Sequence, residues 1–182
     1  MKMIAFFCCS LLSLCPQLLV AQSYIPSDNG SSVTFVIKNF GFSVNGSLKN
    51  LQGSIKFDVN NPEAAFFSVT VDAATINTDN GSRDKHLKKE EYFDADKYPK
   101  ILFLSDKVER TTTSGLYIVK GKFTIKGISK SVSIPFTATA KNGGYLFNGK
   151  VVLNRRDFGV GGSSFVLSDN LTLTLNVFAP KG

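Results

Sequence analysis

His86 is the only histidine in the 182-residue chain, so a metal held by several imidazoles is excluded. It stands in the run Arg83-Asp84-Lys85-His86-Leu87. A base role would need a nucleophile or an acidic substrate proton within hydrogen-bond reach. Serines are plentiful, but no G-x-S-x-G elbow is present. Asp84 and His86 are two apart, so a short helix would not stack them. Three roles stay open for Arg83, Asp84 and His86: ties that fasten a segment, recognition of a ligand head, or catalysis. Arg155 and Asp157 form a second polar pair, ahead of Gly159, Gly161 and Gly162. A guanidinium can grip a phosphate in forked geometry, so a diphosphate head is one reading. The other is an Arg–Asp pair bracing a turn, with Asp84 as a further partner. The glycine run leads into strand-like residues, so it lacks the strand–loop–helix context of a phosphate cradle. No catalytic residue, metal or cofactor is assigned.

The three cysteines, Cys8, Cys9 and Cys15, all fall in the first 21 residues. That segment reads as a secretory signal: Lys2 leads an apolar stretch from Met3 to Val20, with a cut expected after Ala21. Residues 22–182 then form one domain without thiols. Disulfides, thiolate zinc and cysteine catalysis go together. Leu14, Phe7 and Cys8 precede the cysteines, where a lipidated cysteine normally follows a small residue. Cys8, Ser10, Ser13, Pro16 and Gln17 weaken the stretch as an uncut anchor. The net charge of +7 is spread thinly, with lysines alternating among apolar residues. No basic groove with interleaved aromatics suggests nucleic acid, and no later apolar run is long enough for a membrane helix.

Period-2 alternation dominates from Ser32 onward and gives about eight strands with one apolar face each. Phe35 and Ile37 share a face, as do Phe67, Val69 and Val71. Phe103, Phe123, Ile125, Ile134, Phe136, Phe147, Val151, Leu173 and Leu175 continue the pattern, with Phe57 and Phe158 beside it. Turns are expected at Asn45-Gly46, Asn60-Asn61-Pro62, Ser114-Gly115, Gly127 and Asn142-Gly143-Gly144. One charged stretch, Asn80–Tyr98, breaks the period. It reads as a short helix or ordered loop between the third and fourth strands, with Ser82 as its cap and Leu87 and Phe93 as anchors.

A sandwich, an outer-membrane barrel and a water-soluble barrel all alternate. Lys38, Lys56, Lys120, Lys122 and Lys126 on the polar face would crowd a narrow pore, so apolar-inside is the simpler solution, and closure removes exposed edges. The Phe-rich interior could be solid or could hold a ligand. A barrel about 25 Å tall suits an extended chain. The pattern leaves solid core and greasy cavity equally open.

Ser32-Val33-Thr34-Phe35-Val36-Ile37-Lys38, Arg83-Asp84-x-His86-Leu87, Tyr98-Pro99, Phe123-Thr124-Ile125-x-Gly127 and Asn154-Arg155-x-Asp157-Phe158-Gly159 together resemble the YceI family, in family order. The resemblance implies an all-β fold, an eight-stranded antiparallel lipocalin-like barrel. It implies export to the periplasm and a long apolar pocket for a polyisoprenoid or other fatty-chain lipid, without stable membrane insertion. A homodimer is compatible with it. The implied cavity residues are the alternating apolar set above, with Arg83, Asp84, His86, Arg155 and Asp157 as head-group or structural residues. Gly30 and Asn39 stand where the family often has histidine. An enzyme acting on a lipid-like substrate through Arg83, Asp84 and His86 is the alternative.

Overall fold

The computed structural model describes residues 22–182; the expected signal segment lies outside them. A two-residue strand, β1 (Ser23–Tyr24), leads into eight long strands. These are β2 (Ser27–Asn39), β3 (Phe42–Lys56), β4 (Phe66–Asn77), β5 (Lys100–Arg110), β6 (Leu116–Ile125), β7 (Ile128–Lys141), β8 (Gly144–Asn154) and β9 (Leu167–Pro180). Each pairs antiparallel with its chain neighbours, and β2 returns to β9. The result is a closed up-and-down barrel, which has no free sheet edge to protect.

Alternation decides which face is dry. On β6, Tyr117, Val119, Phe123 and Ile125 are buried while Lys122 is exposed. The β5 partner of Phe123 is Phe103, and of Val119, Val108. Between them β5 carries a bulge, where Ser105 turns inward and its hydroxyl accepts from Phe67 N–H at 2.8 Å. That hydroxyl satisfies a backbone donor beside the bulge, where the ladder loses its register.

Three hairpins close with two-residue turns, at Phe40-Gly41, Lys126-Gly127 and Asn142-Gly143, each with positive φ at both positions. That geometry matches the twist of the flanking strands. The turn expected at Asn45-Gly46 is instead mid-strand in β3. Gly46 faces Phe35 across the ladder, and a Cβ there would lie 2.1 Å from Phe35 Cζ. This glycine makes room for an aromatic ring instead of bending the chain.

The period-breaking stretch holds helix α1 (Gly81–Leu87), between β4 and β5, the third and fourth long strands. Its cap is Asn80 and not Ser82: the Asn80 carboxamide oxygen accepts from Arg83 N–H at 3.0 Å. Asn80 has the extended backbone a cap requires, whereas Ser82 already lies inside the helix. The rest of the insert folds back through Phe93 N–H to Leu87 O and Ala95 N–H to Lys88 O.

The barrel's two ends differ. At the end carrying β1 and the C-terminus, Phe57 makes edge contacts with Tyr117, Tyr145 and Phe147 at centroid distances of 5.6, 5.2 and 5.4 Å. Phe67 and Phe136 join the cluster at 5.4 Å, and Tyr24 meets Tyr145 at 5.2 Å. Such pairs contribute about 0.5–1.5 kcal/mol each beyond their buried area. This end is plugged. The other end carries the β2–β3 and β6–β7 hairpins, the α1 insert and the β8–β9 loop.

Candidate functional site

Above the aromatic plug the barrel is hollow. An apolar cavity of about 330 Å³ runs up from it. Phe67, Ile134, Phe136 and Phe147 line it near the plug; Phe35, Ile37, Leu173 and Leu175 line it from β2 and β9. Val69 and Val71 of β4, Phe103 of β5, and Phe123 and Ile125 of β6 complete the wall among the residues singled out in the sequence. Phe103 and Phe123 pack ring against ring at 5.1 Å. Solid core and cavity thus coexist, divided between the two halves of one barrel.

Three of the expected cavity residues do not line it. Phe57 belongs to the plug. Val151 packs against the core opposite Leu173 without reaching the cavity. Phe158 is 2% exposed, packed under the short 3-10 turn Arg155–Phe158. Conversely, Val33, Leu48, Leu51, Ile55 and Ile101 line the cavity; Leu48 and Leu51 both face inward because β3 shifts register between them. Leu87, Tyr92 and Phe93 reach it from the α1 insert, so the insert walls part of the mouth. Nothing periodic marks an irregular segment as a cavity wall, although the apolar residues of that charged stretch are the ones that turn inward.

The polar groups gather at the mouth. Thr78 is buried, and its N–H and hydroxyl both donate to Asp84 Oδ1, at 2.9 and 2.5 Å. Arg83 Nε donates to Thr78 Oγ1 and Nη2 to Thr78 O, each at 2.7 Å. Asp84 and Arg83 therefore clamp the end of β4 to the first turn of α1, with Thr78 as the pivot. Arg83 also lines the cavity, as do His86 and Asn39. His86 itself is exposed, its ring edge-on to Tyr92 at 4.9 Å. Asp84 is directed at Thr78, so it does not orient the His86 imidazole as a base would require.

Arg155 is only 3% exposed, and its guanidinium is saturated. Nε donates to Ser168 O at 3.0 Å; Nη1 donates to Val160 O and Gly162 O at 2.9 Å each. Nη2 reaches Asp169 Oδ1 at 2.8 Å. The carboxylate that pairs with Arg155 is Asp169, neither Asp157 nor Asp84. Asp157 lies exposed on the 3-10 turn. This geometry makes Arg155 the brace of the β8–β9 loop and leaves its donors no free fork for a phosphate. Gly161 N–H further donates to Glu91 O at 2.8 Å, joining that loop to the insert across the mouth. Among the described residues no cluster of three or more His, Cys, Asp or Glu could hold a metal ion.

A closed eight-stranded barrel, plugged at one end and hollow toward the other, defines a protein built around an internal apolar cavity. The YceI-like domain family matches residues 24–179, and the chain belongs to it. A UPF0312 protein of Pseudomonas savastanoi pv. phaseolicola is 33% identical over 152 residues, spanning 79% of each chain. One from Shewanella oneidensis is 30% identical over 154 residues, 80% of each. Among solved structures, Burkholderia cenocepacia BcnA superposes with a TM-score of 0.77 at 25% identity, covering 82% of this chain and 96% of that one. A polyisoprenoid binding domain from Saccharophagus degradans has the same fold, with a TM-score of 0.69 at 12% identity, over 88% and 99% of the two chains.

Proposed function

We propose that this chain is an exported, periplasmic binding and carrier protein for a polyisoprenoid or other long-chain amphiphile. The observation that carries the reading is the one-ended apolar cavity, whose polar lining residues, Thr70 apart, gather at its mouth. The hydrocarbon lies along the barrel axis with its far end on the Phe67, Phe136 and Phe147 rings. Its polar head rests near Asn39, Thr78 and Arg83. Affinity comes from removing apolar surface from water, up to about 0.8 kcal/mol per methylene before ordering costs. No bond is made or broken in this reading, and residues 1–21 serve only export. The fold shared with a polyisoprenoid binding domain supports the same ligand class.

Native mass spectrometry of the chain purified from its own host tests this. The expected result is a co-purifying species with the mass of a prenyl or fatty-chain lipid, replaceable by added prenyl alcohol. Repeated preparations with no adduct and no uptake would reject it. The variant His86→Gln separates carrier from enzyme: a carrier keeps binding, and the bound lipid emerges chemically unchanged from both proteins.

A further inference from the structure

Three phenylalanines at the mouth project far into solvent, while Phe66 at the opposite end is 38% exposed. Phe40 is 70% exposed, Phe42 is 77% exposed and Phe165 is fully exposed. Phe40 N–H donates to Val166 O at 2.9 Å, which holds the β2–β3 hairpin tip beside the β8–β9 loop. Phe42 pairs with Asn39 and shares its strand face with Val44 and Leu48, all three of which line the cavity. The exposed rim therefore continues the cavity wall upward. Phe40 also holds a φ of 49°, a region that bulky side chains avoid. The β7–β8 hairpin makes the equivalent turn with Asn142-Gly143, the ordinary choice. An aromatic kept both strained and wet points to a contact that the isolated barrel does not make.

Charge narrows what that contact is. The β2–β3 tip that bears Phe40 and Phe42 carries Lys38 and no carboxylate, whereas Glu90, Glu91 and Asp94 gather with Lys97 and Lys126 beside the β6–β7 tip, and residues 22–182 hold 20 Lys and Arg against 14 Asp and Glu. A lysine beside protruding phenyl rings on a net-basic chain suits an anionic headgroup layer, with the rings at the acyl boundary and the ammonium group at the phosphates. The rings sit on the β2–β3 turn and the β8–β9 loop, where Phe40 N–H meets Val166 O.

We propose that the Phe40, Phe42 and Phe165 rim docks the barrel, mouth first, on an anionic phospholipid bilayer, so that its amphiphile passes between leaflet and cavity without crossing water. The purpose of docking rests on the lipid-carrier reading, but the docking itself is tested separately. The purified chain is floated with vesicles of mixed phosphatidylglycerol and phosphatidylcholine, and with phosphatidylcholine alone. The comparison is the triple variant Phe40→Asn, Phe42→Ser, Phe165→Ser, which leaves the core untouched. The wild type is expected to float with the anionic vesicles and more weakly with the neutral ones. The triple variant is expected to lose at least about tenfold in partitioning, or about 1.4 kcal/mol. Uptake of a dispersed fluorescent prenyl probe from solution should be unchanged in the variant. Equal flotation of the two proteins, or none by the wild type, would overturn docking even if probe uptake were normal. Flotation without any probe uptake would leave docking standing and reject the carrier reading. Sedimentation velocity covers the remaining occupant: a wild-type dimer that the triple variant abolishes, with neither protein floating, would assign the rim to a second copy.

Discussion

Replacing Arg155 with methionine decides what its buried guanidinium is for. Methionine fills similar space but removes every donor. The structure gives Arg155 four strong bonds, to Ser168 O, Val160 O, Gly162 O and Asp169 Oδ1, at 2.8–3.0 Å. Breaking a buried charge pair by removing one partner costs about 3–5 kcal/mol. Asp169 keeps a side chain 38% exposed, so water recovers part of its solvation and the lower half of that range is expected. Against a total stability of about 5–15 kcal/mol this is a large share. Asp169→Asn keeps the carbonyl bonds but leaves the guanidinium charge uncompensated at 3% exposure, so it should cost a comparable amount, about 3 kcal/mol. Urea unfolding monitored by circular dichroism gives both values, and hydrogen exchange should show the 159–169 loop opening first. A brace predicts lost stability together with equal loss of affinity for charged and uncharged amphiphiles, as the mouth loosens. A loss under about 1 kcal/mol, paired with selective loss of anionic amphiphiles, would refute the brace and make Arg155 a head-group ligand.

The face assignment predicts that Phe123→Asp costs several kcal/mol or abolishes folding, while Lys122→Asp stays within about 1 kcal/mol, both read by thermal unfolding. Gly53 holds a φ of 124°, and a Cβ there would sit 2.0 Å from Ser68 O. Gly53→Ala should therefore cost several kcal/mol in urea, whereas Gly162→Ala, with nothing within 4 Å, should be near neutral. Hydrogen bonds from Lys107, then Lys120, hold the Glu109 carboxylate down to about 2 from 4.5. Its folded pKa lies below the unfolded one, so its small contribution is present above pH 4.5 and fades as pH falls through about 2. A carboxyl NMR titration with a midpoint near 4.5 would contradict that pairing.

Strand count and most of the dry face were legible because period-2 alternation reports which side of a sheet is buried; closure was implied by the family resemblance and not by alternation, and β3, β4 and β5 change phase where their ladders shift register. Turn chemistry was less decisive. Asn45-Gly46 has hairpin residues but lies in β3, because Gly46 answers to the Phe35 ring across the ladder. Phe40-Gly41, with an aromatic in a left-handed position, makes the turn. Hollow against solid was not readable at all: Phe57 and Phe123 carry the same signal, and only their height in the barrel separates plug from cavity wall. The polar mouth was half legible. Arg83 and Asp84 were visible as a cluster, but Thr78, which both of them bond, carries no motif. Asp169 lies fourteen residues beyond Arg155 and is brought to it by the turn that Arg155 itself stabilises.

A hydrocarbon chain held in the barrel lumen must bind according to its length. Calorimetric titration with a series from hexyl to hexadecyl phosphate, each below its micelle concentration, should show affinity rising by up to about fourfold per methylene. The heat-capacity change should grow more negative along the series, and both trends should level off once the chain outgrows the cavity. Affinity that ignores chain length, with a constant heat-capacity change, would place the hydrocarbon outside the lumen.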